Sequence, residues 1–206
     1  MAAEPPAAPE ADKPDGDKRA LRADARRNRD RLVEVAAAAF AEHGLDTSLE
    51  DIARRAGVGI GTLYRHFPTR EHLVEVTYRR EVEALIAAAD ELAAAGPPDA
   101  ALAEWMQRFV GYIATKRGMA DSLRILLTTK SELFAPSSGL LPLALKRLVD
   151  AAIADGSIRG DVDSADVLHA LSATYSTPDT PDWQARSRRL VSLLMDGLRW
   201  GAARGR

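Results

Sequence analysis

Three neighbouring residues in segment 57–70 suit direct contact with the base edges of DNA. Ile60 can touch a thymine methyl group, and Thr62 offers both a hydroxyl and a methyl group. Gly61, between them, has no side chain and permits close approach of its backbone to a ligand. Their position on one short segment predicts a surface that reads a DNA groove.

The phosphate backbone of DNA is the second expected partner. Tyr64 and His66 can donate hydrogen bonds to phosphate oxygens, and Arg70 adds a positive charge. Further arginines lie just before the first apolar helical pattern, namely Arg22, Arg26, Arg27, Arg29 and Arg31. These guanidinium groups either meet phosphate or form a solvated arginine-rich face.

The charge distribution favours a local affinity for nucleic acid over a general one. The net charge of the chain is −2. Residues 1–17 hold one Lys against five acidic residues, which gives −4, whereas residues 18–70 hold eleven Lys or Arg against seven acidic residues, which gives +4. The positive excess is therefore confined to the part of the chain that carries the candidate contacts.

Three short helices are expected to position these residues. The first helix is expected to end at Gly44. Its apolar residues follow helical spacing and are Leu32, Val35, Ala36, Ala39 and Phe40. Residues 47–50 have the spacing of a capping box before a brief second helix that ends at Gly57. The third helix is expected over residues 60–67, because Pro68 excludes helical continuation.

The remainder of the chain predicts further helices, and the fold class is therefore all-α. Residues 1–20 lack apolar periodicity and are expected to form a disordered tail. Thr69 is expected to cap a long fourth helix. Later helices are expected over residues 122–130, 141–154, 163–175 and 183–203, with a loop over residues 135–139. No window of strand length alternates apolar and polar residues.

The second and third helices, joined by a glycine-containing turn, form a pattern typical of a helix-turn-helix. Such a motif presents its second helix to the major groove of DNA. Leu63 and Phe67 are spaced i and i+4 and suit burial in the helical bundle. The opposite side of the third helix is then free for DNA.

Several residues in this region follow the order and spacing of a known family. They are Phe40 and Gly44, then Thr47, Ile52-Ala53, Ala56-Gly57-Val58, Thr62-Leu63-Tyr64 and His66-Phe67. On these residues, segment 26–73 resembles the DNA-binding domain of the TetR family of regulators. The resemblance implies an all-helical homodimer, usually a repressor, whose larger domain binds a small molecule that weakens operator binding.

The resemblance also implies roles for individual residues. By position, phosphate contacts are implied for Thr47, Tyr64, His66 and Arg70, and groove contacts for Ile60, Gly61 and Thr62. Two positions depart from the family pattern. Gly59 stands where members often have a capping Ser, and Ile60 stands where Lys, Arg or Gln is common. A specific hydrogen bond from position 60 is therefore less expected than an apolar contact.

The C-terminal region resembles the family less specifically, and it carries two further candidate sites. Effector-binding candidates are the aromatic and apolar residues Trp105, Met106, Phe109, Tyr112, Phe134 and Tyr175. Few charges interrupt these segments, so a neutral or weakly polar organic effector is favoured over a metal ion. Dimer-interface candidates on the last helix are Leu190, Val191, Leu194, Met195 and Leu198. In both sets the alternative is burial in the core of the same subunit.

Other classes of site are weakly supported. The chain has no cysteine, which excludes disulfides and thiolate zinc sites and favours a reducing cytoplasm. No two of its four histidines lie within one helical turn of each other, so we expect no metal site and no cofactor. The glycines of segment 57–61 lack the preceding strand of a dinucleotide-binding loop. No apolar run is long enough to span a membrane, and no catalytic motif indicates an enzyme.

These observations predict a disordered tail over residues 1–20, a helix-turn-helix domain over 21–68 and a helical effector-binding and dimerisation domain over 69–206. The expected function is that of a ligand-responsive, sequence-specific transcriptional regulator, most often a repressor, with operator DNA, a second copy of the chain and a small organic effector as partners. One alternative is an architectural DNA-binding protein without ligand control. Another is an enzyme or interaction scaffold that only shares the three-helix shape.

Overall fold

The computed structural model describes residues 15–174 and 180–202 of the 206-residue chain. Regular structure in these ranges is entirely helical, so the predicted all-α fold is confirmed. The α-helices are α1 Asp15–His43, α2 Leu49–Ala56, α3 Ile60–His66, α4 Arg70–Ala95, α5 Pro98–Gly118, α6 Ala120–Thr129, α7 Ala135–Ser138, α8 Leu140–Ala154, α9 Ser164–Ala173 and α10 Trp183–Arg199. Two 3₁₀ turns span Gly44–Asp46 and Ser131–Phe134.

α1 is longer than the sequence pattern predicted. It begins at Asp15, so the expected disordered tail is wrong for residues 15–20, while residues 1–14 lie outside the described part. The segment before Leu32 is rich in Ala and Arg, which are strong helix formers. Because Leu32 and Phe40 are packed in the core, the helix is already nucleated there and extends towards its N-terminus at little cost.

The first three helices pack into the predicted small bundle. The apolar face of α2 is buried, and so are Leu63 of α3 and the adjacent Phe67. The cap of α2 differs from the expectation by one residue, because the Ser48 hydroxyl, and not that of Thr47, accepts a hydrogen bond from the backbone N–H of Asp51 (3.0 Å). The N-cap of α2 therefore lies one position after the one that the predicted capping box over residues 47–50 implied.

α4 connects this bundle to the rest of the molecule. Its N-cap is Thr69, as predicted, whose hydroxyl accepts a hydrogen bond from the backbone N–H of His72 (3.1 Å). Along its length α4 packs against α1, α5, α6 and α8. A single continuous helix therefore contacts both the N-terminal bundle and the larger helical region.

α5 lies at the centre of the larger region and packs against α1, α4, α8 and α10. It is buried along most of its length, including Trp105, whose indole N–H donates to the carbonyl oxygen of Leu85 in α4 (2.8 Å). This hydrogen bond satisfies the one polar atom of a large side chain that has no exposed surface. Trp105 thereby fixes α5 against α4.

The later helices follow the predicted order with shifted ends. The segment expected to be a loop, residues 135–139, instead contains α7, because Pro136 suits the first helical turn and the Ser137 hydroxyl donates to the carbonyl oxygen of Phe134 (2.9 Å). Asp163 caps α9 as expected. α10 ends at Arg199, before the expected residue 203. Across residues 15–174 and 180–202, no helix has the length and apolarity needed to cross a lipid bilayer.

The joint between the N-terminal bundle and α5 is a close backbone contact. A Cβ atom at Gly118, the last residue of α5, would lie 2.0 Å from the backbone carbonyl oxygen of Phe40 in α1. Only glycine permits the two helices to approach this closely. The end of α5 is therefore held directly against the bundle.

Candidate nucleic-acid interface

The turn between α2 and α3 depends on Gly57. This residue has φ of +72°, a left-handed conformation that costs a residue with a side chain roughly 1–2 kcal/mol. Its backbone N–H donates to the carbonyl oxygen of Arg54 (3.1 Å), and the N–H of Val58 donates to that of Ala53 (3.0 Å). This pair of hydrogen bonds ends α2 abruptly, so that α3 begins only three residues later at Ile60.

α3 has one buried face and one exposed face. Leu63 and the following Phe67 have no exposed surface, whereas Tyr64 is 44% exposed and Ile60 is 37% exposed. A Cβ atom at Gly61 would meet no other atom within 4 Å, so the backbone there is open to a partner. The predicted groove-facing residues Ile60 and Gly61 thus share the solvent side of α3 with Tyr64, in the arrangement of a helix that enters the major groove.

Arg65 lies on the same side of α3 and was missed by the sequence prediction. It is exposed, next to Tyr64 and four residues after Gly61. The signal that could have found it is its position on the helix, because residues at i and i+4 share a face. Its guanidinium group adds a charged donor beside the exposed tyrosine.

Thr62 and His66 lie at the margin of the exposed face. Both are half-buried, and the ring of His66 lies 6.3 Å from that of Phe67, measured between centroids. Each retains accessible surface on the side of α3 that faces solvent. Their contacts with DNA stay a prediction.

Thr47 does not fit its expected role as a phosphate contact. Its side chain is buried, and its hydroxyl lies 3.0 Å from the carbonyl oxygen of Ala39 and 2.8 Å from that of Gly44. The hydroxyl donor is therefore engaged inside the protein, where it holds the end of α1 to the turn that precedes α2. The expected contact between this side chain and DNA is wrong.

Arg70 also acts inside the protein. Its Nη1 atom donates to the backbone carbonyl oxygen of Thr47 (2.6 Å), and its guanidinium carbon lies 5.3 Å from the centroid of the Phe40 ring. The side chain therefore joins the start of α4 to the α1–α2 junction. The hydrogen bond to Thr47 uses one of the five N–H donors of a half-buried guanidinium, so the phosphate contact of Arg70 stays a prediction.

Charged side chains also hold α2 to the end of α1. Arg55 donates to Glu42 (2.7 Å between Nη1 and Oε2) and forms an ion pair with Asp51 (2.7 Å between Nε and Oδ2). The hydrogen bond to Glu42 raises the pKa of the Arg55 guanidinium.

Arg27, a predicted phosphate contact, is exposed on α1 and forms an ion pair with Asp24 one turn away. A surface pair of this kind is weak enough to exchange for a phosphate.

Most of the predicted effector-binding residues lie in the packed interior of the larger region. Trp105, Met106, Phe109 and Tyr112 are buried on α5, and Phe134 is partly buried beside them. Tyr175 lies outside the described residues. The aromatic rings contact one another, with centroids of Trp105 and Phe109 5.8 Å apart and those of Phe109 and Tyr112 5.6 Å apart. Contact between these residues and an effector stays a prediction.

Polar atoms are present between α4 and α5 beside these rings. Tyr78, which the sequence prediction missed, donates a hydrogen bond from its hydroxyl to the Ser137 hydroxyl (2.8 Å) and accepts one from Tyr112 (3.4 Å). Among the described residues, the buried hydroxyl of Thr77 has no hydrogen-bond partner. Burial raises the pKa of Glu81 in the following turn of α4. The helical spacing of Val74, Tyr78, Val82 and Leu85 could have identified this buried face in the sequence.

The predicted dimer stripe on α10 divides into two faces. Val191, Met195 and Leu198 are buried in the core of their own subunit, so their expected place at a dimer interface is wrong. Leu190 is exposed and Leu194 partly exposed. Leu193, which was not predicted, is the most exposed leucine of α10, at 68%. The apolar stripe is broad enough to close the core on one side and to leave leucines free on the other.

Comparison with known proteins assigns both halves of the chain. The profile of bacterial regulatory proteins of the tetR family matches residues 32–77. The profile of the SbtR-like transcriptional regulator C-terminal domain matches residues 97–200. An HTH-type transcriptional regulator of Staphylococcus aureus (strain USA300) is 39% identical over 67 residues, which is 32% of this chain and 36% of that protein. The match therefore spans about a third of this curated relative.

Solved structures extend the similarity over most of the chain. The TetR transcriptional regulator SCO0520 from Streptomyces coelicolor is 46% identical, with a TM-score of 0.73, over 83% of this chain and 98% of that one. A TetR transcription regulatory protein from Mycobacterium vanbaalenii is 37% identical, with a TM-score of 0.66, over 87% of this chain and 99% of that one. With its exposed α3 and the SbtR-like helical region that follows, the chain belongs to the TetR family of bacterial DNA-binding transcriptional regulators.

Proposed function

We propose that the protein is a homodimeric repressor that leaves its operator when a small organic molecule binds in the larger domain. The observation that carries the proposal is the division of α3 into a buried face, at Leu63 and Phe67, and an exposed face, at Ile60, Gly61 and Tyr64. A helix packed on one side and free on the other can enter the major groove without unfolding the bundle behind it.

Dimerisation follows from the geometry of DNA and from the exposed face of α10. Two recognition helices about 34 Å apart reach successive major grooves on one side of a duplex. Leu190 and Leu193 expose apolar side chains that a second copy of the chain would cover. Together with α9, α10 would form a four-helix interface around a twofold axis.

The effector site is proposed between α4 and α5. Tyr78 and Tyr112 place hydroxyl groups beside the rings of Phe109 and Phe134, and the Thr77 hydroxyl is buried close by in α4. Such a lining suits a neutral or weakly polar organic molecule with one or two groups that form hydrogen bonds. These aromatic side chains pack on one another here, so a ligand would have to displace them.

Displacement of these side chains would reach the DNA-binding bundle through α4. Tyr78 lies two turns after Arg70, about 12 Å along the same helix, and Arg70 is bonded to Thr47. A shift of α4 that accommodates the effector would therefore pull on the bundle that carries α3. Effector binding would favour a form whose recognition helices are wrongly spaced, and operator affinity would fall by the difference between the effector's affinities for the two forms.

The test begins with duplex DNA enriched from a randomised pool by the purified protein. The enriched duplex, labelled with a fluorophore, is bound by the protein and titrated with a library of neutral organic compounds, while fluorescence anisotropy reports release. A compound that releases the wild-type protein should act at least about tenfold more weakly on Tyr112→Phe, which keeps the ring and lacks the hydroxyl. Enrichment without release by any compound would favour an architectural DNA-binding protein over a ligand-controlled repressor.

A further inference from the structure

The N-terminal part of α1 extends beyond the helical bundle. The helix begins at Asp15, but its first buried side chain among those described is Leu32. Residues 22–27 between them are all exposed. At 1.5 Å per residue, the 17 residues from Asp15 to Leu32 span about 26 Å, the length of seven to eight base pairs of DNA. We call residues 15–31 the α1 arm.

The buried face of α1 changes from apolar to arginine along the arm. Within the bundle this face includes Val33, Ala36 and Phe40, which are spaced by three and four residues and are buried together with Leu32 and Ala39. The same spacing continued towards the N-terminus gives Arg29, Arg26, Arg22 and Arg19, which we call the arginine face. A helix face that packs on the core in one half therefore carries four guanidinium groups in the other.

The arginine face begins beside the recognition helix. The guanidinium carbon of Arg29 lies 5.3 Å from the ring centroid of Phe67, the residue that follows α3. Among the side chains that the structure describes, which exclude those of residues 15–18, 20 and 21, Arg19, Arg22 and Arg26 have no ion-pair partner. Arg27, on another side of the helix, pairs with Asp24. Three arginines of this face are thus available to an external anion.

We infer that the α1 arm is a second DNA-binding element, whose arginine face binds the phosphate backbone outside the base pairs read by α3. The inference rests on the proposed operator binding and adds a contact to it. Residues 18–31 hold seven Lys or Arg against two Asp, so their net charge of +5 complements a polyanion. The C-terminal end of the arm lies beside the end of α3, where Arg29 contacts Phe67, and the arm is as long as seven to eight base pairs of DNA. These two features favour the DNA that flanks the base pairs read by α3 as its partner.

The arm should increase affinity without sequence preference, because phosphate contacts carry no base information. Each lost contact should lower the dependence of log affinity on log salt by about 0.9. The test variant is Arg22→Gln/Arg26→Gln, since glutamine is as good a helix former as arginine and keeps the arm helical. The matched control is Lys146→Gln/Arg147→Gln, which removes the same charge from α8, where both residues are exposed.

Affinity is measured at several salt concentrations on two duplexes, one trimmed to the enriched site and one with about 10 further base pairs on each side. On the longer duplex, the arm variant should bind roughly tenfold more weakly than wild type, with a salt slope smaller by three to four units for the four arginines of a dimer. The control variant should match wild type. On the trimmed duplex the arm variant and wild type should differ little.

Equal salt slopes for the arm variant and the control variant on the longer duplex would overturn the inference. An equal loss of affinity by the arm variant on the longer and the trimmed duplex would overturn it as well. If the wild-type protein enriches no site, the proposed function fails separately. The same titration on a mixed-sequence duplex of about 40 base pairs then still decides whether the arm contacts phosphate. Circular dichroism of each variant checks that the helices are retained.

Discussion

The Nη1 atom of Arg70 lies 2.6 Å from the backbone carbonyl oxygen of Thr47, 23 residues earlier in the chain. This bond joins the first turn of α4 to the residue before the cap of α2. The helix-turn-helix is therefore attached to α4 by a charged hydrogen bond as well as by apolar packing. Arg70 is a positioning residue for α3 in this account.

Arg70→Gln should weaken operator binding through the position of α3. Loss of a partly buried hydrogen bond from a charged donor should lower the free energy of unfolding by roughly 1.5–3 kcal/mol. Because the guanidinium is bound within the protein, the salt slope of DNA binding should stay unchanged. Thermal unfolding and a salt titration of DNA binding measure the two effects. Arg79→Gln, which removes an exposed ion pair with Glu75 on the same helix, is the control. A slope lower by one unit for Arg70→Gln would show a direct phosphate contact.

Gly57→Ala should destabilise the helix-turn-helix. Its φ of +72° costs an alanine roughly 1–2 kcal/mol, so Tm should fall although a Cβ atom there would meet no neighbour. Gly59 is the matched control, because its φ of −72° suits any residue and it is the N-cap of α3. Gly59→Ser should leave Tm unchanged or raise it slightly. Equal Tm values for Gly57→Ala and wild type would contradict the role of the left-handed turn.

Ile60→Ala should weaken binding to the enriched site. Loss of apolar contact with a base edge corresponds to about 1–2 kcal/mol, or roughly 5- to 30-fold in Kd. Ile125→Ala removes a similarly exposed isoleucine from α6, far along the chain from α3, and should leave Kd unchanged. Binding of both variants to mixed-sequence DNA completes the comparison. If Ile60→Ala loses affinity equally on both DNAs, residue 60 does not contribute to sequence recognition.

The helix-turn-helix was predictable because its determinants are local. Gly57 ends α2 by its own backbone conformation, and Leu63 and Phe67 are buried because their spacing places them on one face of α3. The role of Thr47 was not predictable in this way, since its hydroxyl contacts the carbonyl oxygen of Ala39, eight residues earlier in α1. The same holds for Arg70, whose partner is fixed by the tertiary packing of α4.

For a related reason, the sequence could not distinguish the core face of α10 from its exposed face. Leucine, valine and methionine extend around more than half of this helix, so the pattern fits both a core face and an interface face. Packing against α5 buries Val191 and Met195 and leaves Leu190 and Leu193 outside. The α1 arm has only one large apolar residue, Leu21, so no apolar periodicity reveals a helix there. Its helical state follows from helix propensity and from the packed segment after it.

Gly118→Ala should disturb the joint between α5 and the N-terminal bundle. A Cβ atom would lie 2.0 Å from the Phe40 carbonyl oxygen, and backbone atoms on both sides would have to move. Overpacking of this kind typically costs 1–3 kcal/mol, about 2–12 °C in Tm for a chain of this length. Gly111→Ala on the same helix meets no neighbour within 4 Å and should raise Tm slightly. An unchanged Tm for Gly118→Ala would show that the joint can yield.

Leu193→Glu should convert the proposed dimer to monomers. A carboxylate placed at an apolar interface loses its hydration without gaining a partner, so the dimer Kd should rise by at least roughly 100-fold. Size-exclusion chromatography with light scattering measures the mass. Leu143→Glu introduces the same charge at an exposed leucine of α8 and should leave the mass unchanged. A dimeric Leu193→Glu variant would remove the exposed face of α10 from the interface.

The ratio of specific to non-specific DNA binding tests the central claim most directly. It compares the Kd of the wild-type protein for the enriched duplex with its Kd for a duplex of the same length and shuffled sequence, at physiological salt. A sequence-specific regulator should bind the enriched duplex at least roughly 10³-fold more tightly, with two protomers on each duplex. Equal affinity for the two duplexes, or absence of binding to either, would contradict the account of this protein as an operator-binding regulator.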